Sequence, residues 1–165
     1  MSVILPGSYD PVTLGHLDII KRAAERYGEA YAVVFINPEK EYTFSLEDRV
    51  AMLMLATEDI DGCMVSYSTG RVVDYMREHG IDRIVKGIRD ERDLAYERPQ
   101  AEYNMAHGGY ETEYIKSRPE LSEISSTLAR ERLASGESLD GILPERVIGY
   151  IKRLAAEGGS PEENA

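Results

Sequence analysis

The sequence is poor in cysteine, in basic residues and in long apolar runs. Its one cysteine, Cys63, excludes an internal disulfide and a zinc site built from several thiolates, and it fits a reducing compartment. Acidic residues outnumber basic ones by 30 to 19, and the net charge of −11 argues against nucleic acid or an anionic membrane as the main partner. Since there is no stretch of about 18 apolar residues and no basic leader, we expect a soluble, cytoplasmic protein.

The length of 165 residues and the composition indicate a single folded domain. Hydrophobic residues make up 42% and charged residues 30% of the chain, which is the range of ordinary globular proteins. We predict one domain over residues 1–157 and a disordered tail over residues 158–165, where a Gly-Gly-Ser-Pro run occurs. A small anionic substrate is compatible with the acidic balance if the few basic residues cluster locally.

Apolar segments of strand length alternate along the chain with segments of helical period. Residues 31–36 form a continuous apolar run typical of a strand covered on both faces, whereas residues 17–27 have apolar side chains at helical spacing. The alternation predicts an α/β fold with a Rossmann-like, doubly wound, parallel five-stranded sheet, helices on both faces and C-terminal helices. The predicted strands are 3–5, 31–36, 64–67, 83–87 and 112–115, and the predicted helices are 17–27, 45–57, 72–76, 93–106, 126–133 and 144–156.

The loop from Gly7 to His16 connects the first predicted strand to the first helix. Ligands of doubly wound sheets bind beyond the carboxyl ends of the strands, so the turns after residues 5, 36, 85 and 115 should open onto one edge. Glycine lets a phosphate approach the backbone, and the helix N-terminus offers amide donors, although an ordinary turn with a solvated His16 is the alternative. The glycine patterns of dinucleotide-binding and P-loop proteins are missing. Because a cation is disfavoured at this helix end, we expect His16 to be neutral and to donate a hydrogen bond to an anion.

Further candidate residues follow the later strands. Lys40 could reach a phosphate from the end of the second strand, although a solvated lysine between two glutamates is the alternative. Gly87 is expected to form a turn at the end of the fourth strand, where Arg89 would contact phosphate or nucleotide. Three consecutive hydroxyl residues open the helix after the fifth strand: Ser125, Ser126 and Thr127. One hydroxyl would suffice as an N-cap, and three also suit an anion.

The tetrapeptide Thr13-Leu14-Gly15-His16 resembles the Thr/His-x-Gly-His signature of the nucleotidyltransferase superfamily. Within it, segments 7–11, 37–40, 44–50, 87–89 and 124–128, with Asp93 and Tyr96-Glu97, are similar to phosphopantetheine adenylyltransferases over nearly the whole chain. The resemblance implies adenylyl transfer from ATP to 4′-phosphopantetheine, giving dephospho-coenzyme A and pyrophosphate, with Mg²⁺ on the ATP phosphates. It also implies a homohexamer and possible feedback by coenzyme A.

The same resemblance implies a role for each candidate residue. The implied catalytic residues are His16, which would stabilise the transition state, Lys40 and Arg89. The implied ATP-binding residues are Ser8, Tyr9, His16, Gly87, Ile88, Arg89, Glu97, Ser125, Ser126 and Thr127. The implied acceptor-binding residues are Ser8, Lys40, Val72 and Lys86, and no metal ligand from the protein is implied.

Four positions depart from the phosphopantetheine adenylyltransferase pattern. Lys86 stands where that family has arginine, and Arg71 stands where a leucine usually lines the acceptor channel. The segment around Leu121 lacks the usual aromatic residue, and Pro99 should interrupt the fourth helix. Two other hypotheses therefore stay open: nucleotidyl transfer to another small phosphate acceptor, and a nucleotide-binding relative whose catalysis is impaired.

Overall fold

A computed structural model describes residues 1–158, so the predicted tail lies outside the described residues except for Gly158. The strands are β1 Ser2–Gly7, β2 Glu29–Phe35, β3 Cys63–Ser68, β4 Arg83–Ile88 and β5 Thr112–Lys116. The helices are α1 Leu14–Tyr27, α2 Leu46–Thr57, α3 Val72–His79, α4 Glu91–Gly108, α5 Ser126–Ser135 and α6 Glu145–Ala156. Every strand and helix that the sequence predicts is therefore present, with bounds that differ by a few residues.

The strands form one parallel sheet in the order β3-β2-β1-β4-β5. β1 pairs with β2 along its whole length but with β4 only at Val3 and Ile4, so β1 and β4 separate towards their carboxyl ends. Pro6 fits this separation because it has no amide hydrogen to donate to a neighbouring strand. The strand order also reverses here, since β2 and β4 flank β1 on opposite sides. The predicted doubly wound, Rossmann-like fold is confirmed.

Apolar side chains cover both faces of the sheet. Successive residues of a strand point to opposite faces, and β1 follows this rule: Val3 and Leu5 belong to a large core, and Ile4 belongs to a smaller one. The large core also contains buried side chains of α1, α2, α5 and α6. The smaller core contains Tyr75 and Met76 of α3. Among the described residues, no helix is long and apolar enough to cross a membrane.

The helix ends mostly follow the capping residues that the sequence indicates. The Ser45 hydroxyl accepts a hydrogen bond from the Asp48 amide, 3.1 Å away, and so begins α2. Gly28 and Gly80 end α1 and α3 with positive φ angles of 87° and 65°, a region that glycine adopts without steric cost.

The expectation that Pro99 interrupts the fourth helix is wrong. α4 continues through Pro99 from Glu91 to Gly108. Proline removes one hydrogen bond within a helix, but here Pro99 and Ala95, four residues before it, are both exposed, so water can solvate the carbonyl that loses its donor. The carboxylate of Asp90 caps the N-terminus of α4 by accepting from the Asp93 amide, and so stabilises the part of the helix that precedes Pro99.

Candidate active site

A cavity of about 550 Å³ opens where β1 and β4 separate. Its walls come from the ends of β1 and β4, from the segments after β1, β2, β4 and β5, and from the N-terminal parts of α1, α4 and α5. The prediction that these turns open onto one edge of the sheet is confirmed. Its volume is in the range of small-molecule sites, which is about 300–1,000 Å³. The predicted site residues that line it are Ser8, Tyr9, His16, Lys40, Lys86, Gly87, Arg89, Glu97, Ser125 and Ser126.

The turn after β1 is shaped by a buried tyrosine. Tyr9 has a positive φ of 47°, and its hydroxyl donates to the Leu5 carbonyl at 2.7 Å. A β-carbon added at Gly7 would lie 3.2 Å from the Tyr9 ring, which is tighter than an ordinary contact. The sequence interpretation assigned Gly7 to close approach of a ligand; the structure shows that this glycine also makes room for Tyr9.

His16 is held by a reciprocal capping arrangement with Thr13. The Thr13 amide donates to Nδ1 of His16 at 3.0 Å, and the His16 amide donates to the Thr13 hydroxyl at 3.3 Å. Since a backbone N–H can only donate, Nδ1 must be an acceptor, and the proton of the neutral ring must be on Nε2. The interaction fixes the tautomer and leaves Nε2–H as the available donor.

The surroundings of His16 disfavour the imidazolium form. Desolvation, together with the smaller effect of the positive charges of Lys86 and Arg89, lowers the pKa of His16 from 6.5 to about 4. The ring is half-buried beside Tyr9, with ring centres 5.1 Å apart. His16 is therefore neutral at pH 7, as the sequence led us to expect.

We expect NMR titration to find an Nε2–H tautomer for His16 and a pKa of about 4. Because the folded pKa is below the ordinary value of 6.5, the unfolded chain binds the proton first, and His16 should destabilise the fold as the pH falls from 6.5 towards 4. The chain has three histidines, so His16→Gln assigns the resonance. A pKa of 6 or above would contradict the neutral-donor assignment.

Three basic side chains line the cavity, and two are paired with acids. The Lys86 ammonium lies 3.4 Å from a Glu97 carboxylate oxygen and 3.4 Å from the Pro6 carbonyl oxygen. Arg89 donates to Asp93 through Nε at 2.9 Å and Nη2 at 3.2 Å, and its amide donates to the same carboxylate. These hydrogen bonds raise the pKa of Arg89 and lower that of Asp93. Both groups stay charged at neutral pH.

Gly87 does not form the turn that the sequence analysis expected. It lies within β4, and Arg89 directly follows the strand end at Ile88. A β-carbon at Gly87 would lie 2.8 Å from Cγ1 of Ile19, so glycine at this position lets α1 pack closely against β4. Gly87 still lines the cavity, but its conformation is that of an ordinary strand residue.

The hydroxyls at the start of α5 have different partners. Ser125 is the N-cap, because its hydroxyl accepts from the Leu128 amide at 3.0 Å. Ser126 donates to the Pro11 carbonyl at 2.8 Å and so ties α5 to the turn after β1. Thr127 is exposed and accepts from Arg130 at 3.2 Å. The first two line the cavity, where the N-terminus of α5 favours an anion.

Thr127, Ile88 and Val72 are not among the residues that line the cavity. Val72 packs against the smaller core, around Tyr75 and Met76. Neighbouring Arg71 donates to Asp74 and to the Tyr103 hydroxyl, each at 2.9 Å. The acceptor-binding role of Val72 therefore stays a prediction that its position does not support.

Sequence reasoning missed two acidic side chains that organise the site. Asp93 is one of them, and its spacing of four residues from Arg89 is the sequence signal that could have identified the pair. The carboxylate of Asp10 is buried and accepts hydrogen bonds from two amides of the segment after β2. No local pattern indicates that contact, because the two segments are more than thirty residues apart.

Over the described residues, no group of three or more His, Cys, Asp or Glu side chains is arranged to hold a metal ion. The two cavity carboxylates, Asp93 and Glu97, each face a basic side chain. A divalent cation at this site would therefore have to take most of its ligands from the phosphates of a bound nucleotide or from water.

A family model described as cytidylyltransferase-like matches residues 4–132. The matched range begins in β1 and ends in α5, so it contains every residue that lines the cavity. It also contains all the residues to which the sequence analysis gave a role.

Proposed function

The chain belongs to the cytidylyltransferase-like family, whose chemistry is nucleotidyl transfer, and we propose that it transfers the adenylyl group of ATP to 4′-phosphopantetheine. The products would be dephospho-coenzyme A and pyrophosphate. The main support is the placement of a neutral histidine donor, three basic side chains and the serines Ser8, Ser125 and Ser126 around one cavity at the reversal of strand order. Such a site suits two phosphate-bearing substrates in an otherwise acidic protein.

The proposed reaction needs positioning and charge stabilisation rather than a covalent enzyme intermediate. An oxygen of the acceptor phosphate attacks the α-phosphorus of ATP, and the bond from that phosphorus to the bridging oxygen breaks as pyrophosphate leaves. His16 donates Nε2–H to an oxygen on the α-phosphorus, where negative charge increases in the transition state. Since Thr13 fixes the ring, this donor is oriented before the substrates bind.

The basic residues divide between the two substrates in this proposal. Arg89 and the start of α5 bind the leaving phosphates, while Lys40, Lys86 and Ser8 hold the acceptor phosphate. Mg²⁺, when bound with ATP, would neutralise charge on its phosphates. The protein itself supplies the fixed cations and the neutral donor.

The acceptor side of the cavity differs from that expected of a phosphopantetheine adenylyltransferase. Lys86 presents a single ammonium, already shared with Glu97, in place of the arginine fork usual in phosphopantetheine adenylyltransferases. Arg71 and Val72 face away from the cavity lining, towards α4 and the smaller core. These observations favour a second candidate, in which the same chemistry acts on another small phosphate acceptor.

Pyrophosphate release with ATP, Mg²⁺ and a panel of acceptors tests both candidates. We expect turnover with 4′-phosphopantetheine, and little with glycerol phosphate or a mononucleotide. Turnover only with one of the latter would support the second candidate. ATP binding without turnover on any acceptor would indicate a nucleotide-binding relative that has lost catalysis.

The predicted hexamer and the feedback by coenzyme A can be examined in the same preparation. Light scattering gives the oligomeric state, and adding coenzyme A to the assay tests for inhibition.

A further inference from the structure

The carboxylate of Asp10 joins two loops of the cavity. Its side chain is 4% exposed, its Oδ2 accepts from the Thr43 amide and its Oδ1 accepts from the Phe44 amide, both at 2.9 Å. Asp10 belongs to the turn after β1, and Thr43 and Phe44 belong to the segment between β2 and α2 that also carries Lys40. A single buried carboxylate therefore satisfies two amides of the neighbouring loop.

Arg49, in the first turn of α2, joins the same two loops by donating to backbone carbonyls, whereas Asp10 accepts from backbone amides. It is 2% exposed; its Nε donates to the Phe44 carbonyl at 3.2 Å, and its Nη1 donates to the Ser8 carbonyl at 3.1 Å. Burial of an arginine is costly unless its donors are satisfied, and here they bond to the backbone on both sides of the junction. Arg49 and Asp10 thus fix the turn that carries Ser8 against the loop that carries Lys40.

Tyr42 extends this arrangement to Lys40. The Arg49 guanidinium lies over the Tyr42 ring, 3.9 Å from its centre, and the Lys40 ammonium lies over the same ring at 5.5 Å. The Tyr42 hydroxyl accepts from the Asn37 amide at 2.9 Å, which fixes the ring at the other end of the loop. The exposed Lys40 ammonium is thus held over the Tyr42 ring, whose orientation is in turn fixed by the buried Arg49.

Lys40 lines two cavities, so the position of its side chain determines in which of them its positive charge lies. The second cavity, about 700 Å³, borders the first and is lined by Asp10, Tyr42, Arg49 and Arg130, among others. Arg130 donates to the Asp10 carbonyl at 2.9 Å and so also helps to hold the turn after β1. Asp10, Tyr42 and Arg49 therefore lie beside Lys40 at the second cavity.

We propose that Asp10, Arg49 and Tyr42 form a clasp that positions Lys40 against the Ser8–His16 turn for catalysis. The proposal rests on the proposed function, because it assigns these three side chains to the placement of a lysine that contacts the substrate. They are positioning residues and touch no substrate themselves. If they served only stability, their loss would lower the free energy of unfolding without any special relation to Lys40.

A double-mutant cycle separates positioning from stability. We expect Asp10→Ala to lower kcat/KM by about tenfold to a hundredfold in the wild-type background and by less than about threefold in a Lys40→Ala background, since coupled residues give non-additive effects. Arg49→Lys, which keeps the charge but loses the fork, should retain more activity than Arg49→Met. Equal losses from Asp10→Ala in both backgrounds would overturn the proposal.

Asp82→Ala is the matched control for the cycle. The Asp82 carboxylate also accepts a backbone hydrogen bond, from the Ser2 amide at 3.0 Å, but at the amino edge of the sheet. This variant should lose stability without any change in kcat/KM. If Asp82→Ala also lowered kcat/KM, and did so only when Lys40 is present, the cycle would be reporting a general loosening of the fold. That result would overturn the proposal.

Hydrogen exchange tests the clasp without any need for turnover. The Asn37 amide donates to the Tyr42 hydroxyl, and the Lys40 amide donates to the Asn37 carbonyl. Neither amide is hydrogen-bonded to Asp10. In Asp10→Ala they should exchange at least about tenfold faster, since the whole loop is released, whereas they should be unchanged in Asp82→Ala. Unchanged exchange in Asp10→Ala would overturn the clasp. Wild-type inactivity on every acceptor would instead overturn the proposed function, and the exchange result would then decide on the clasp alone.

Discussion

Replacing His16 with alanine is expected to lower kcat by about a hundredfold or more, because fixed donors of this kind typically contribute that much in a site shielded from water. The ring donates through Nε2–H only because Thr13 holds Nδ1 as an acceptor. Alanine removes the donor and also leaves the Thr13 amide without its partner, which should cost roughly 1 kcal/mol of stability. The variant should therefore fold, with a small decrease in Tm.

The His16 prediction is checked by steady-state kinetics beside a thermal melt. His79→Ala is a suitable control, since His79 stacks on Tyr75 with ring centres 3.9 Å apart, at the end of α3 and outside the cavity lining. It should leave kcat unchanged. His16→Gln keeps an N–H donor and should retain more activity than alanine. Wild-type kcat in His16→Ala would show that this histidine does not stabilise the transition state.

The fold could be predicted from the sequence because buried parallel strands have a local signature. The apolar run of β2 and the helical spacing of α1, which ends at Gly28, each identify their element without reference to the rest of the chain. The position of the site follows from the same pattern, since parallel strands place their carboxyl ends at one edge. The neutral state of His16 was also predicted, from its place at a helix N-terminus, although in the structure burial and the charges of Lys86 and Arg89 are what lower its pKa.

Two of the features that sequence reasoning missed depend on contacts between distant segments. Gly87 is required by Ile19 of α1, and the amides that Asp10 binds follow it by more than thirty residues. Pro99 was expected to interrupt the fourth helix, but exposure of the affected turn makes the missing hydrogen bond tolerable. For Gly87 and Asp10 the residue type was visible in the sequence and its partner was not.

Replacing Arg89 with alanine is expected to raise the KM for ATP by about a hundredfold, since a charge-assisted contact is worth about 1.5–3 kcal/mol. The loss has two causes. The guanidinium no longer binds phosphate, and the Asp93 carboxylate that it now neutralises is left facing an anionic ligand in the cavity. Because Asp93 is ionised at neutral pH with or without its partner, the second cause is repulsion, and it is larger at low salt.

The double variant Arg89→Ala/Asp93→Asn distinguishes the two causes. If repulsion from Asp93 contributes, adding Asp93→Asn should lower the KM for ATP about tenfold relative to Arg89→Ala alone. The second substitution would then partly rescue the first, whereas two independent losses would add. Arg146→Ala is the control, because Arg146 pairs with Glu58 and Asp59 on the surface, away from the cavity lining. A double variant no better than Arg89→Ala would mean that Asp93 acts only by orienting Arg89. The pair would then bind phosphate through its geometry, and KM should show little dependence on salt in the single variant.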